Sequence, residues 1–429
     1  MHPIRERFQK KGMGVFSVCS ANELVLRAAM RHARKNNYLV IVESTANQVD
    51  QFGGYTGMRP KDFVDMVGKI AAEEKLPAQQ LVLGGDHLGP LTFAKWPEDK
   101  AMELSQELVA AYVKAGYTKI HLDTSMRVAS DDPDQPLDVR VCARRGARLA
   151  KTVYESLAEY RRTKPDAVTP VLVIGSEVPI PGGSHEHEDS IVPTSPEDFR
   201  SQVQAFRDAF AAENVPFEDV VGFVVQPGVE FGDDFVFRYD AQRAASLTAA
   251  IRDYPELVFE GHSTDYQTGG DLAAMVRDRI AILKVGPALT FGLREALLLL
   301  ELIEKEMVTD PAKLSRFRET LVSRMNAEPK YWKSYYCGTE EEIAYKKIYS
   351  YSDRCRYYLP DEQVNRAVEK LLSNLADVQL PAALVSQYFP TQYQRMMSGE
   401  LEGNAMDILL DRLGQWNETY AVACRLMEA

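Results

Sequence analysis

Eight short apolar runs, each closing on polar residues and each followed by a stretch with helical spacing, fill the chain as far as residue 287. They are VFSVCS (15–20), YLVIVE (38–43), LVLGGDH (81–87), KIHLD (119–123), PVLVIGSE (170–177), VVGFVVQPG (220–228), LVFEGHS (257–263) and IAILKVGP (280–287). Runs that are apolar throughout belong to strands buried on both faces. A strand–helix beat repeated in this way predicts an α/β protein built as a (β/α)8 TIM barrel. Helix signals fall between the runs. Ser20 and Asn22 can cap ELVLRAAMRHAR, Pro60 opens PKDFVDMVGKIAAEEK, and Gly116 closes WPEDKAMELSQELVAAYVKAGY. TSPEDFRSQVQAFRDAFAAEN and LTFGLREALLLLELIEKEM continue the alternation around the later strands.

The beat stops near residue 306. Beyond it come helical stretches separated by aromatic clusters, YWKSYYCG (331–338), YSYSDRCRYY (349–358) and SQYFPTQYQRM (386–396). At 429 residues the chain exceeds the length of about 250 typical of the barrel, so two regions are expected. Residues 1–306 form the barrel, and 307–429 form a C-terminal helical extension whose aromatics pack on it. From that extension Ser352, Asp353 and Arg354 are candidates to reach the barrel mouth. Two loops on the active face are long, 47–60 and 178–196, and their Gly53-Gly54 and Gly182-Gly183 pairs suit either positive-φ turns or hinges.

Active sites in this fold gather at the carboxyl ends of the strands. The residues there are Cys19, Glu43, Asp86, His87, His121, Asp123, Glu177, Gln226, His262, Ser263 and Lys284. Three of the seven histidines, His87, His121 and His262, fall in or at the end of these runs. A strand-end histidine taken alone reads best as a satisfied core residue, but the set together points to a site. His87, Glu177 and His262 make a candidate divalent-metal site, Zn or Mn, with a strand-end hydrogen-bond network as the alternative. His121 and Asp123 share a face through the period of two and suit a working pair or a polar layer in the barrel. The loop tract His185-Glu186-His187-Glu188-Asp189 offers further ligands or is simply solvated. Asp86, Glu43 and Asp123 are the candidate catalytic carboxylates. Cys19, Gln48, His121, Gln226, Ser263, Asp265, Lys284 and Gly286 are the candidate substrate contacts.

Chemistry can also be excluded. There is no GxGxxG and no GxxxxGK[ST], so neither NAD nor ATP is expected as a cofactor. Gly286, the helix start near Pro287, and the hydroxyls of Ser263 and Thr264 would suit a sugar phosphate. The balance of 50 basic against 62 acidic residues, net −12 and without a basic run, argues against nucleic acid. Five cysteines without CxxC spacing suit a reducing compartment. With no apolar leader and no long apolar run, a cytoplasmic protein that does not engage the membrane is expected, and a homo-oligomer is the expected assembly.

Nine blocks extend the picture: SVCSAN (17–22), ESTANQVDQFGGYTGM (43–58), GGDHLGP (84–90), KIHLD (119–123), EVPIPGG (177–183), VVQPGVEF (224–231), HSTDYQT (262–268), ILKVGPALTF (282–291) and SDRCRYY (352–358). In these the chain resembles the accessory (Z) subunit family of tagatose-1,6-bisphosphate aldolase, whose members also carry the label tagatose-6-phosphate kinase. The resemblance implies a class II-aldolase-like barrel and a role in tagatose, galactitol or N-acetylgalactosamine phosphate catabolism. There the Z chain supports a separate class II zinc aldolase, the catalytic subunit. It also implies ketose 4-epimerase relatives acting on free ketohexoses, sugar acids or 6-phosphates. Asp86-His87 resembles the base and ligand pair of class II aldolases, and His262 their later metal histidine. The usual third histidine and glycine-serine phosphate loop are missing, since this chain carries HSTDYQT. For C4 inversion, retro-aldol cleavage and re-addition is the expected route, with Asp86 moving the C4 hydroxyl proton and Glu43 as second candidate.

Overall fold

A computed structural model describes residues 2–10, 12–175, 191–376 and 378–428. All eight apolar runs are strands: β1 Val15–Cys19, β2 Val40–Thr45, β3 Leu81–Leu88, β4 Lys119–Leu122, β5 Val171–Ile174, β6 Val220–Val225, β7 Val258–Gly261 and β8 Ile280–Val285. They close into a parallel barrel in sequence order, with β8 pairing back onto β1 through Val15 opposite Ile282. Between β6 and β7 a two-residue antiparallel ribbon pairs Glu230 with Phe237, an element too short to leave a periodic signal.

The period of two along each strand divides the interior into storeys. At the amino-terminal end Val15, Ile41, Val82, Val171, Val258 and Ile282 form an apolar floor. The helix α1 (Pro3–Phe8) plugs it with Ile4. Two positions further along, the inward residues become Ser17, Glu43, Gly84, Glu260 and Lys284. The alternate residues, such as Phe16, Val18, Val42 and Phe259, face the helical ring and join the outer core. Gly84 is glycine for a steric reason: a Cβ there would lie 2.5 Å from Glu43 Cγ, in the space that the carboxylate needs.

The ring begins as the caps and breakers dictate. α2 (Glu23–Lys35) starts at Asn22, whose Oδ1 accepts from Leu24 N and Val25 N, while Ser20 Oγ accepts from Asn22 N. Pro60 opens α3 (Pro60–Glu73), and Gly116 ends α4 (Glu98–Ala115) at φ 98°. Next come α5 (Val139–Tyr160), α6 (Pro196–Ala212), the short α7 (Ala245–Ala250), α8 (Gly269–Arg277) and α9 (Pro287–Met307).

The extension contributes α10 (Phe317–Ala327), α11 (Glu340–Tyr349), α12 (Glu362–Asn374), α13 (Ala382–Tyr388), α14 (Pro390–Met397) and α15 (Ala405–Ala423). α15 lies against α2, α8 and α9 and touches β1, so it takes a seat in the barrel's own helical ring. Its Tyr420 packs 5.5 Å from the Phe16 ring and donates to Thr264 O at 2.7 Å. Gly292 on α9 makes room for Trp416, whose Nε1 would stand 2.4 Å from a Cβ there. A second joint is the buried Asp353, which takes Thr290 Oγ1 at 2.7 Å and Arg294 Nε at 3.1 Å. The aromatic clusters work as packing: Tyr351 lies tilted and Phe291 edge-on against Tyr266, and Tyr357 meets Tyr55 of the loop after β2 at 5.2 Å. In that loop Gly53 and Gly54 supply positive-φ turns, at 117° and 54°. Gly182-Gly183 and the tract from His185 to Asp189 lie outside the described residues.

Candidate active site

Strand parity brings the polar residues together. Lys119 and His121 on β4, Glu43 on β2, and Glu260 with His262 at the end of β7 stand two positions apart along their strands, so they rise up the same inner wall. β3 departs from this rule. Its register with β4 slips between Gly85 and Leu88, and His87 sits at φ 52°, a left-handed conformation that costs a side-chain-bearing residue on the order of 1–3 kcal/mol. The slip is what allows the adjacent Asp86 and His87 both to face the mouth.

Below the mouth lies a buried ionic storey. Lys119 Nζ reaches Glu43 Oε1 and Glu260 Oε2, each at 2.7 Å, with all three side chains fully buried. Lys284 Nζ contacts Glu43 Oε2 and lies 2.7 Å from Asp86 Oδ1, and Ser17 Oγ donates to Glu43 Oε1 at 2.8 Å. Burial pushes each of these groups toward its neutral form, and the opposite charges outweigh it. Glu43, Asp86 and Glu260 are held below the usual carboxylate range, and Lys119 and Lys284 above the usual range for lysine.

The three histidines form a triangle, with ring centroids 5.0–5.2 Å apart. His121 Nδ1 pairs with Asp86 Oδ1 at 2.7 Å. His87 Nδ1 pairs with Asp123 Oδ2 at 2.8 Å, while Ser125 holds the other Asp123 oxygen through its N and Oγ. His262 Nε2 pairs with Glu260 Oε1 at 2.9 Å. Their environments differ. Burial lowers His262 to about 4, so it is neutral at pH 7. At His87 burial also works against the charge, but Asp86 and Asp123 overcome it and raise the pKa.

A divalent cation fits this donor set on two counts. Asp86, His121, Glu260 and His262 each offer a ligand atom, all within 4.8 Å of one another, and His121 Nε2 is buried with no hydrogen-bond partner. The surrounding charge is compatible with a cation. Three buried carboxylates, Glu43, Asp86 and Glu260, face the two ammonium groups of Lys119 and Lys284, while the fourth, Asp123, pairs with His87. A second trio, Cys19, Glu43 and Asp86, offers fewer donors and no imidazole.

The sequence-derived candidates divide by depth. A cavity of about 810 Å³ opens above the cluster, and Cys19, Gln48, Asp86, His87, His262, Ser263, Asp265, Lys284 and Gly286 line it. Glu43, His121 and Asp123 lie beneath, fully buried. Gln226 stays out of the group: its Oε1 closes a turn by accepting from Gly228 N and Val229 N. Glu177, expected as a ligand, lies outside the described residues. Of the other ligands expected, His262 joins the four-residue set, whereas His87 Nδ1 is committed to Asp123. Sequence reasoning passed over Lys119 and Glu260. The signal was present, since each is a charged residue in an apolar strand two positions before a histidine already singled out. It also named Arg354 for the mouth, where the structure places Arg356. Arg354 turns away, donating to Tyr331 O at 2.7 Å and stacking 3.5 Å from Tyr335.

The expected phosphate cradle is already in use. Gly286 N and Ala288 N, the first free amides of α9, both donate to Asp265 Oδ1, at 3.0 and 2.8 Å, and Thr264 Oγ1 donates to Lys284 O. Asp265 thus fills with its own carboxylate the place that sequence reasoning gave to a phosphate. Burial raises it to about 6, against the pull of those amides and of Arg356.

Comparison with known proteins adds the context. A crystal structure described as a probable tagatose 6 phosphate kinase from Sinorhizobium meliloti 1021 is 41% identical, covers 96% of this chain and 100% of its own, and superposes with a TM-score of 0.87. More distant shapes include the YdjI aldolase of Escherichia coli K12, 11% identical with TM-score 0.42, covering 88% of this chain and 97% of its own. The fructuronate-tagaturonate epimerase UxaE of Cohnella laeviribosi is 13% identical with TM-score 0.47, covering 96% and 82%. Neither of these two carries functional weight. The family described as D-tagatose-1,6-bisphosphate aldolase subunit GatZ/KbaZ-like matches residues 2–425, and the chain belongs to it.

Proposed function

We propose that this chain is the Z-type subunit of a tagatose-1,6-bisphosphate aldolase, acting in ketohexose phosphate catabolism beside a class II catalytic chain. The observation that carries the reading is the family match, unbroken from residue 2 to 425. Co-expression with a class II tagatose-bisphosphate aldolase chain tests it. The expected result is co-purification and a longer active half-life of the catalytic chain. A catalytic chain equally active and equally long-lived alone would overturn the reading.

One feature favours a second reading, an autonomous ketohexose 4-epimerase. A scaffold has no need of a buried ionic storey opening into a substrate-sized cavity. On this reading Asp86, His121, Glu260 and His262 hold a divalent metal, zinc or manganese, with Nε2 of His121 and the neutral His262 as its imidazoles. When bound, the metal supplies Lewis-acid polarisation of the C2 carbonyl. Lys119 fixes Glu43 and Glu260 in place. Asp123 holds the Nδ1 proton of His87, which leaves His87 Nε2 as the basic nitrogen at the cavity, 3.7 Å from Asp86 Oδ2. Asp86 and His87 then share the proton of the C4 hydroxyl, and the cavity walls hold the aldehyde fragment until re-addition. Incubating the metal-loaded protein alone with fructose 6-phosphate, tagatose 6-phosphate and the free ketoses, followed by NMR, reads C4 inversion directly. Inversion lost in Asp86→Asn and His87→Gln supports the assignment, and no inversion in the wild type removes this second reading.

A further inference from the structure

Four cationic side chains line the cavity, and three of them are committed to carboxylates. Arg27 holds Glu73 at 2.5 Å and Glu74 at 3.0 Å, Arg31 holds Glu74 at 2.8 Å and Asp407 at 2.6 Å, and Lys284 is held by Glu43 and Asp86. Arg356 differs. Among the described residues it pairs with no carboxylate, and its three hydrogen bonds go to neutral oxygens: Nη1 donates to Ser352 O at 2.5 Å and Asp353 O at 3.1 Å, and Nη2 to Tyr357 Oη at 3.1 Å. The guanidinium also lies 4.5 Å from the Tyr357 ring centroid. It is therefore held in position by neutral oxygens, while the Asp353 and Asp265 carboxylates act on it through space without forming an ion pair. A guanidinium carries five N–H donors, so two remain, the number that a bidentate oxyanion takes.

The other features of the wall point the same way. The amides that would otherwise receive an anion, those of Gly286 and Ala288, are spent on Asp265, and Lys284 is spent on the ionic storey. Among the described residues, an anionic ligand entering this cavity finds one cationic side chain outside an ion pair, Arg356. We propose that Arg356 anchors the anionic end of a ketose chain, a phosphate ester or a terminal carboxylate, with the rest of the chain extending toward the cluster at Asp86 and His262. The inference rests on the reading that the cavity receives a ketohexose, and it makes the C-terminal extension a contributor to specificity as well as to packing. Asp265, also in the wall, opposes the anion by charge repulsion and sets how tightly the phosphate form is held relative to the neutral sugar.

Calorimetric titration of the full-length protein with fructose 6-phosphate, glucuronate, inorganic phosphate and free fructose tests this. Arg356→Gln is expected to weaken fructose 6-phosphate by roughly 10- to 100-fold, the range for a lost charge-assisted contact, and to leave free fructose unchanged. Arg356→Lys should fall between, because it keeps the charge and loses the fork. Asp265→Asn keeps an oxygen for the two amides and removes a negative charge, so it should tighten inorganic phosphate about 2- to 5-fold, a gain that no misfolded protein would give. Glucuronate weakened in parallel with fructose 6-phosphate identifies a general oxyanion anchor, and glucuronate bound as well by Arg356→Gln as by the wild type restricts it to phosphate. If fructose binds and Arg356→Gln leaves its discrimination from fructose 6-phosphate unaltered, the anchor is wrong while the ketohexose reading stands. Arg356-dependent binding of phosphate without any fructose binding keeps the anchor and overturns the ketohexose reading. Binding of none of the four probes overturns both.

Discussion

The two ends of the barrel are built from the same strands to opposite specifications. The floor, Val15, Ile41, Val82, Val171, Val258 and Ile282 under the Ile4 plug, is apolar and dry. Two residues further along the strands, Glu43, Lys119 and Glu260 are as fully buried but carry full charges. Burying a side chain of the first kind contributes about 1.5–3 kcal/mol. A buried ion pair contributes little net stability, because desolvation of the charges offsets most of their attraction. The floor therefore stabilises the barrel, and the upper storey is carried at its expense.

Removing one cation from the charged storey should break the contrast most severely. Lys119→Met leaves Glu43 and Glu260 buried without their shared partner and is expected to cost about 3–5 kcal/mol in denaturant unfolding. Adding Glu260→Gln should recover part of that loss. A loss below about 1 kcal/mol would mean that the storey is effectively hydrated and the contrast false.

An acid titration sharpens the comparison from the other end. His2, at the plug, accepts from Ile4 N at 3.2 Å, and burial lowers it from 6.5 to about 4. Between those values the unfolded chain binds a proton that the folded one refuses, so stability falls as pH drops from 6.5 to 4. The contribution amounts to about 3 kcal/mol. His2→Asn keeps an acceptor for Ile4 N and does not titrate, so its stability should fall less steeply over this window than that of the wild type. Parallel curves would place His2 in water.

The smallest effect belongs to the floor itself. Ile282→Val should cost roughly 0.5–1.5 kcal/mol and leave ligand binding at the mouth unchanged. A change in binding affinity would show that the two storeys are mechanically coupled.

Much of this architecture was legible in the sequence for local reasons. Strands buried on both faces must be apolar throughout, so all eight stood out, and Asn22, Pro60 and Gly116 marked helix ends by their own chemistry. The mouth was legible where a titratable residue interrupted such a strand, as at Asp86, His121 and His262. What stayed hidden depends on partners far away in the chain. Nothing near Asp265 shows that its carboxylate will take the amides at 286 and 288. Nothing near Arg356 shows that Arg27, Arg31 and Lys284 will each find a carboxylate while it does not. Lys119 and Glu260 escaped for another reason: they look like errors in apolar strands until the period of two aligns them with each other across the barrel.

The place of α15 in the wall bears on how the protein is made. Phe16 in the first strand packs on Tyr420, so the seat between α2 and α8 stands open until the last helix has left the ribosome. At about 5–20 residues per second the nascent chain waits on the order of 7–30 s, from α8 to α15, with that apolar slot uncovered. A message cut short before codon 405 would leave Phe16 and the facing sides of α2, α8 and α9 uncovered on a strand barrel already closed, and so prone to aggregation.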